Sequence, residues 1–331
     1  MRQSIHLALS GQSPHAIECG ISPVSEYLIS LLAGACCMQC QRCRSPGIRR
    51  LGLISLLLLI VSAHPATASL STAPFSTHEI DRSVIASLPT WHGKSGNIID
   101  HLDLSRPFAT QTQWTFVVAT LPGSFADVFG DTIDHGTLAV CFVEKLNPHC
   151  EYARPNATPS SWLSTADGLS SAEVVFVSAG HADPLLLLKT TSQGGANGNH
   201  FIYTQAYMFD RTDNQFKAIF SNKTASNNNQ QTRFIEDGPL RGDIIVDEPT
   251  GSAPFDYWIS VYTWSRGKPY SLALRYRSDT HYGDGNPLAV IDSEMRNILM
   301  RLRQWKAGDP LPIPPHSTCK PYLRGGEEWC R

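Results

Sequence analysis

From Trp114 onward the chain is a succession of short runs rich in Val, Ile, Phe and Tyr, each closed by turn formers. The runs are "WTFVVAT", "LAVCFVEK", "AEVVFVS", "LLLLKTT", "FIYTQAYMFD", "FKAIFSN", "TRFIED", "DIIVDE", "YWISVYTWS" and "YSLALRYRS", about ten predicted strands within 165 residues. No helix of ten residues separates them, and the joins at Arg211 to Gln215 and Arg266 to Pro269 have the length of hairpin loops. A loop of that size connects antiparallel neighbours, because a parallel pair needs a long crossover. The expectation is a mainly β fold of antiparallel meanders, stacked as blades or packed as a sandwich, and not a doubly wound α/β sheet.

One helix is predicted, over 288–306. Leu288, Ile291, Met295, Ile298, Leu302 and Trp305 recur at spacings of three and four, with Asp292 and Glu294 near the N-terminal turn. Arg296, Arg301, Arg303 and Lys306 lie largely off that stripe and read as a solvated face. "GDPLPIPP" then ends the helix and leads into a tail over 307–331. Upstream of the β-rich domain at 111–306, residues 69–110 have few apolar clusters and are expected to form an irregular arm.

Compartment is read from "GIRRLGLISLLLLIVSAHPATAS" at 47–69. Arg49 and Arg50 precede an apolar run from Leu51 to Ala63, and Ala66, Thr67 and Ala68 supply a small-x-small cleavage pattern. The run would span about 20 Å as a helix, short of a hydrocarbon core of roughly 30 Å. Cleavage near Ala68 and a periplasmic or secreted location follow, with no integral membrane span after cleavage. Met38 would start a signal peptide of ordinary length over 38–68, leaving 1–37 as an untranslated or disordered extension. Cys36, Cys37, Cys40 and Cys43 resemble zinc-ligand spacing, but the cluster straddles that start and precedes the export signal.

After Ala68 there remain 22 Lys and Arg against 27 Asp and Glu, which disfavours a nucleic-acid surface. The cysteines in this part fall as two close pairs, Cys141 with Cys150 and Cys319 with Cys330. Four cysteines permit three connectivities. Local pairing is favoured because "NPH" and "RGG" supply turns within the two segments. Each such bridge would add roughly 2.5 to 3 kcal/mol in the chain-entropy model.

The nucleophile elbow GxSxG, HExxH, the phosphate loop, GxGxxG and a CxxC redox pair are missing from this part of the sequence. "DHLD" at 100–103, "IDHG" at 133–136 and "GHADP" at 180–184 each put a histidine near a carboxylate, as acid–base work needs and as polar turns also do. Asp279, Asp284 and Asn286, with Gly283 and Gly285, could supply oxygens to calcium, although the full EF-hand loop is not matched. "RGD" at 241–243 runs straight into a strand, and Asn156 and Asn222 are glycosylation acceptors. The most polar stretch, Asn227, Asn228, Asn229, Gln230 and Gln231, is read either as a solvated loop or as a hydrogen-bonding lip. With Arg233 on the next strand and Tyr203, Tyr207 and Tyr262 as flanks, the lip would suit a carbohydrate or peptide edge.

"NNNQQTRFIEDGPLRGDIIVDEPT", "APFDYWISV", "LRYRSDTHYGDGNPLAVIDSEM" and "CKPYLRGGEEWC" resemble stretches of a family of exported proteins from Gram-negative bacteria with no assigned activity. The likeness covers 184–330 and implies a bacterial, exported protein. More distantly, the hairpins are similar to FG-GAP-type propeller blades, whose calcium loops are not matched. The expected function is a periplasmic or envelope-associated binding module, with an envelope protein or carbohydrate as partner. The alternative is a secreted hydrolase whose histidine and carboxylates converge from separate strands.

Overall fold

The computed structural model describes residues 73–90, 93–123, 125–126, 132–133, 136–152, 166–178, 182–192, 200–251, 255–315 and 317–331. The export segment, the cluster Cys36, Cys37, Cys40 and Cys43, the acceptor Asn156 and the residues His135 and His181 lie outside the described residues.

Helix α1 (Thr77–Ser87) and strand β1 (Asn97–Asp103) occupy the segment expected to be an irregular arm, followed by the single turn α2 (Ser105–Phe108). The signal for α1 is a capping box. Ser76 Oγ accepts from the Glu79 backbone N–H at 3.3 Å, and a Glu79 carboxylate oxygen accepts from the Ser76 N–H at 2.8 Å. Ile80, Val84 and Leu88 then form one buried stripe. The Gln113 side chain fastens the helix entry to the sheet, accepting from the Phe75 N–H at 2.7 Å and donating to its carbonyl at 3.1 Å.

Three antiparallel meanders follow. The first contains β1, β2 (Trp114–Leu121), β5 (Thr137–Glu144) and β6 (Asn147–Tyr152), with the small hairpin β3 (Phe125–Ala126) and β4 (Thr132–Ile133) between β2 and β5. The second is β7 (Gly168–Ser178), β8 (Ala182–Ser192), β9 (Phe201–Asp210) and β10 (Gln215–Ala225). The third is β11 (Gln231–Phe234), β12 (Ile244–Pro249), β13 (Asp256–Thr263) and β14 (Ser271–His281). Then come α3 (Val290–Ser293), α4 (Met295–Arg301) and the hairpin β15 (Pro321–Arg324) with β16 (Glu327–Cys330). All belong to one compact unit, Ser69–Arg331.

Strand periodicity decides how these sheets stack. Successive side chains alternate between faces, so a strand apolar at every position is buried on both sides. In β8, Leu185, Leu186, Leu187 and Leu188 are each at most 2% exposed. Leu186 and Leu188 pack toward Phe116, Val140 and Phe142 of the first sheet. Leu185 and Leu187 pack toward Phe234, Ile244 and Val246 of the third. The outer face of the first sheet, with Val117, Ala119 and Val143, is covered by α1. The outer face of the third, with Ile245, Ile259 and Val261, is covered by α3 and α4. The result is three stacked sheets with a helical cover at each end.

Both cysteine pairs close locally. Cys141 and Cys150 stand directly opposite each other in β5 and β6 with Cα atoms 4.0 Å apart, and Cys319 joins Cys330 across the last hairpin.

The predicted helix over 288–306 is shorter than expected and is interrupted at Glu294. Its fully buried carboxylate is bound into the end of β14, accepting from the Asp279 and Thr280 N–H groups at 3.0 and 3.2 Å and from the Tyr276 hydroxyl at 2.8 Å. The C-terminus is a Schellman turn. Arg303 has φ 60°, Gln304 N–H donates to Leu299 O at 2.7 Å, and Arg303 N–H donates to Met300 O at 3.0 Å. A glycine would have announced that turn in the sequence; an arginine does not.

Two outcomes test this account. Leu187→Ala and Leu188→Ala, which open the two interfaces separately, are each expected to lower unfolding free energy by about 2–5 kcal/mol in urea titration. The second concerns pH. Burial, the leading cause in each case, raises Asp243 to about 6 and Asp247, Glu327 and Glu328 to about 7. At these four positions the folded state therefore holds more protons than the unfolded chain above the ordinary carboxylate range. The contribution of these four groups to stability is full below about pH 4 and is lost as pH rises toward about 7. Thermal melts are expected to show a higher midpoint at pH 5 than at pH 8, with Glu328→Gln flattening the profile.

Candidate functional site

On β11, Thr232 and Phe234 turn toward the second sheet, which leaves Gln231 and Arg233 facing the helical cover. The Arg233 guanidinium meets Asp292 of α3 as a fork, with NH1 to Oδ1 at 2.5 Å and NH2 to Oδ2 at 3.1 Å. Gln231 Oε1 steadies it, accepting from NH2 at 3.0 Å and Nε at 3.3 Å. The side chains of Arg233 and Asp292 are 24% and 13% exposed, so the pair is partly shielded from water. Such planar two-bond pairing fixes geometry as well as charge.

This fork lies at the wall of a pocket of about 380 Å³. Ile235, Asp237, Pro239 and Leu240 line one side, and Met295 and Leu299 of α4 line another. The remaining wall is Trp305 and the run Pro310, Pro312, Pro314 and Pro315. Trp305 is held by its indole N–H, which donates to Pro310 O at 3.0 Å. Proline fixes φ and lacks an N–H, so the run stays extended and presents rings instead of amides. Ile313 stands at the mouth, 64% exposed. An apolar recess with a few converging polar groups is the usual form of a small-molecule site.

The polar stretch is mostly a turn. Asn228 and Asn229 have φ of 58° and 54°, and Gln230 N–H donates to Asn227 O at 3.4 Å, the pattern of a primed turn. Gln230 folds back, its side-chain oxygen accepting from Ala225 N–H at 3.2 Å. Gln231 N–H is bound by buried Asp247. Of the six residues proposed as a lip, Arg233 lines the pocket and Gln231 orients it. Tyr207 faces the first sheet and Tyr262 packs between the second and third, so these tyrosines do not gather beside the turn.

Asp284 and Asn286 form a different kind of turn. Asp284 accepts from the Asn286 N–H at 2.7 Å, and Asn286 Oδ1 accepts from Leu288 N–H at 3.0 Å. The Asn286 amide also donates to Glu328 O at 2.8 Å, fastening the last hairpin. Asp279 sits on β14 beside Gly326. Among the described residues no group of three or more His, Cys, Asp or Glu side chains is placed to hold a metal ion.

The histidine contacts lie away from the pocket. His101 pairs with Asp81 of α1 at 2.5 Å, and His281 with Asp256 at 2.9 Å. In "RGD", Gly242 is buried with φ 87°, and a Cβ there would come within 2.4 Å of Val177. Its carbonyl accepts from the Tyr270 hydroxyl at 2.8 Å, so the tripeptide is a packed loop. The Asn222 amide donates to Thr232 Oγ1 at 2.9 Å, bridging the second and third sheets. Among the described residues no helix is long and apolar enough to cross a membrane.

No family model, no curated protein and no solved structure matches this chain.

The fork can be weighed by a double-mutant cycle. Arg233→Ala is expected to cost about 1.5–3 kcal/mol, as loss of a hydrogen bond to a charged group does. Adding Asp292→Ala should then cost less than it does alone, because its partner is already gone. Strictly additive values in urea titration would count against the pairing.

Proposed function

We propose that the chain is an exported, periplasmic or envelope-associated binding module whose ligand enters the pocket between α4 and the proline run. The single observation that carries this reading is the pocket's makeup: aliphatic, indole and proline surface around the Arg233–Asp292 pair, with the exposed carboxylate of Asp237 as the other charged group in the lining. An anionic ligand would meet the Asp237 carboxylate and would have to displace Asp292 from Arg233. A neutral ligand with a flat apolar body and one hydroxyl or amide would not. Its body would lie against Trp305 and the prolines, and its polar end would meet the fork. Two disulfides support an oxidising compartment, and the Arg49 to Ala68 segment supports export as the route there. At this pocket hydrolysis is less well supported, since no histidine is among its lining residues and the His101–Asp81 and His281–Asp256 contacts are elsewhere.

Titration with N-phenyl-1-naphthylamine, a neutral dye that brightens in apolar surroundings, tests the reading. Ile313→Glu puts a charge at the mouth and Trp305→Ala removes a wall. Each is expected to weaken dye binding at least about tenfold, equal to roughly 1.4 kcal/mol, while the melting midpoint is kept. Unchanged titrations in both variants would sink the proposal.

A further inference from the structure

The loop between β11 and β12 is closed on itself. Ile235 N–H donates to Asp243 O at 2.9 Å and Gly242 N–H donates to Ile235 O at 2.7 Å. Within that closure Arg241 N–H donates to Gly238 O at 3.2 Å. Gly238, with φ 76°, makes the bend, and Pro239 stiffens it. Asp237 is thus carried on a short hydrogen-bonded loop and belongs to the lining of the pocket beside α4.

The polar side chains in that lining are Arg233, Asp237, Asp292 and Trp305. Their hydrogen-bonding capacity is unevenly spent. The Trp305 indole N–H goes to Pro310 O at 3.0 Å. All three guanidinium nitrogens of Arg233 have partners, Nε and NH2 on Gln231, NH1 and NH2 on Asp292. Both Asp292 oxygens are occupied by the same fork. Asp237 differs: among the described residues no hydrogen bond or ion pair engages its exposed carboxylate.

Charge divides in the same way. One guanidinium stands against two carboxylates, which leaves the lining one unmatched negative charge. Arg296 lies over the Trp305 ring, 5.4 Å from its centroid, but its NH2 donates to Asn297 Oδ1 and Gly326 O and it is not in the lining. The proline run adds acceptors without donors, since each proline keeps a carbonyl and lacks an N–H.

We infer that the pocket takes a small apolar amine in its protonated form, with the ammonium at Asp237. This rests on the binding function proposed above and names the charge of its ligand. An ammonium has only donors to offer, and the unspent side-chain group in the lining is an acceptor of opposite charge. A carboxylate in its place would be repelled by Asp237 and would find Arg233 already held by Asp292. Because Asp237 is exposed, the discrimination is modest, about fivefold, as for other ion pairs open to water.

1-Naphthylmethylamine, 1-naphthylmethanol and 1-naphthoate share one ring system and differ in the charge of the substituent. Equilibrium dialysis of each against the full, oxidised chain at low ionic strength is expected to show the amine held about fivefold more tightly than the alcohol, and the carboxylate less tightly than either. Asp237→Asn should remove the preference for the amine. Glu236→Gln, at the exposed neighbour outside the lining, should keep it. Binding of the alcohol with no preference for the amine, a preference that survives Asp237→Asn, or one lost equally in Glu236→Gln overturns this inference and leaves the pocket's binding function standing. Binding of none of the three compounds overturns both.

Discussion

Leu185 to Leu188 are buried on alternating sides of one strand, and this sets a requirement that the rest of the molecule meets. Four consecutive leucines leave no solvent face, so the sheet containing them needs an apolar partner on each side. The first sheet supplies one and the third the other. Each partner then has an outer face of its own to cover. Helix α1 does so at one end, while α3 and α4 do so at the other. Layer count thus follows from a short stretch of sequence and the period of a strand.

The two interfaces are built differently. Between the first and second sheets, Trp114, Phe142, Tyr207, Phe209 and Phe216 form a continuous aromatic group. Between the second and third, aliphatic contacts and the edge-on pairs of Phe220 with Tyr262 and Tyr270 run beside a polar strip in which Asn222 reaches Thr232, with buried Thr204 and Thr224 nearby in register. Rings that meet edge-on or stacked have preferred angles as well as distances. Aromatic pairs therefore fix the relative orientation of the sheets, as a continuous group at the first interface and around Phe220 at the second.

The strands were legible because apolar alternation and turn formers are local signals. The disulfides were legible for a related reason: each pair spans one hairpin. α1 could have been found from Ser76 and Glu79, whose capping box precedes the spaced Ile80, Val84 and Leu88. The end of α4 could not, since Arg303 takes a left-handed conformation without the usual glycine. The site divides the same way. Arg233 stood out as a charge beside amides, but its partner Asp292 is 59 residues away. Nor does any local pattern show that the prolines after residue 309 fold back over α4. Long-range pairings of this sort are decided by packing, which one strand's periodicity does not encode.

The proline wall is fastened at two ends. Upstream it leaves the Schellman turn at Arg303, and downstream it enters the hairpin closed by Cys319 and Cys330. Between those anchors it behaves as a bridge deck: its stiffness comes from the prolines, and its position comes from the abutments. Cutting the Cys319–Cys330 bond removes no pocket-lining atom, yet it loosens one abutment and widens the range of shapes the pocket can take. Thiol chemistry at the hairpin thereby bears on the shape of the wall, and the wall fastened at both ends belongs to the oxidised molecule.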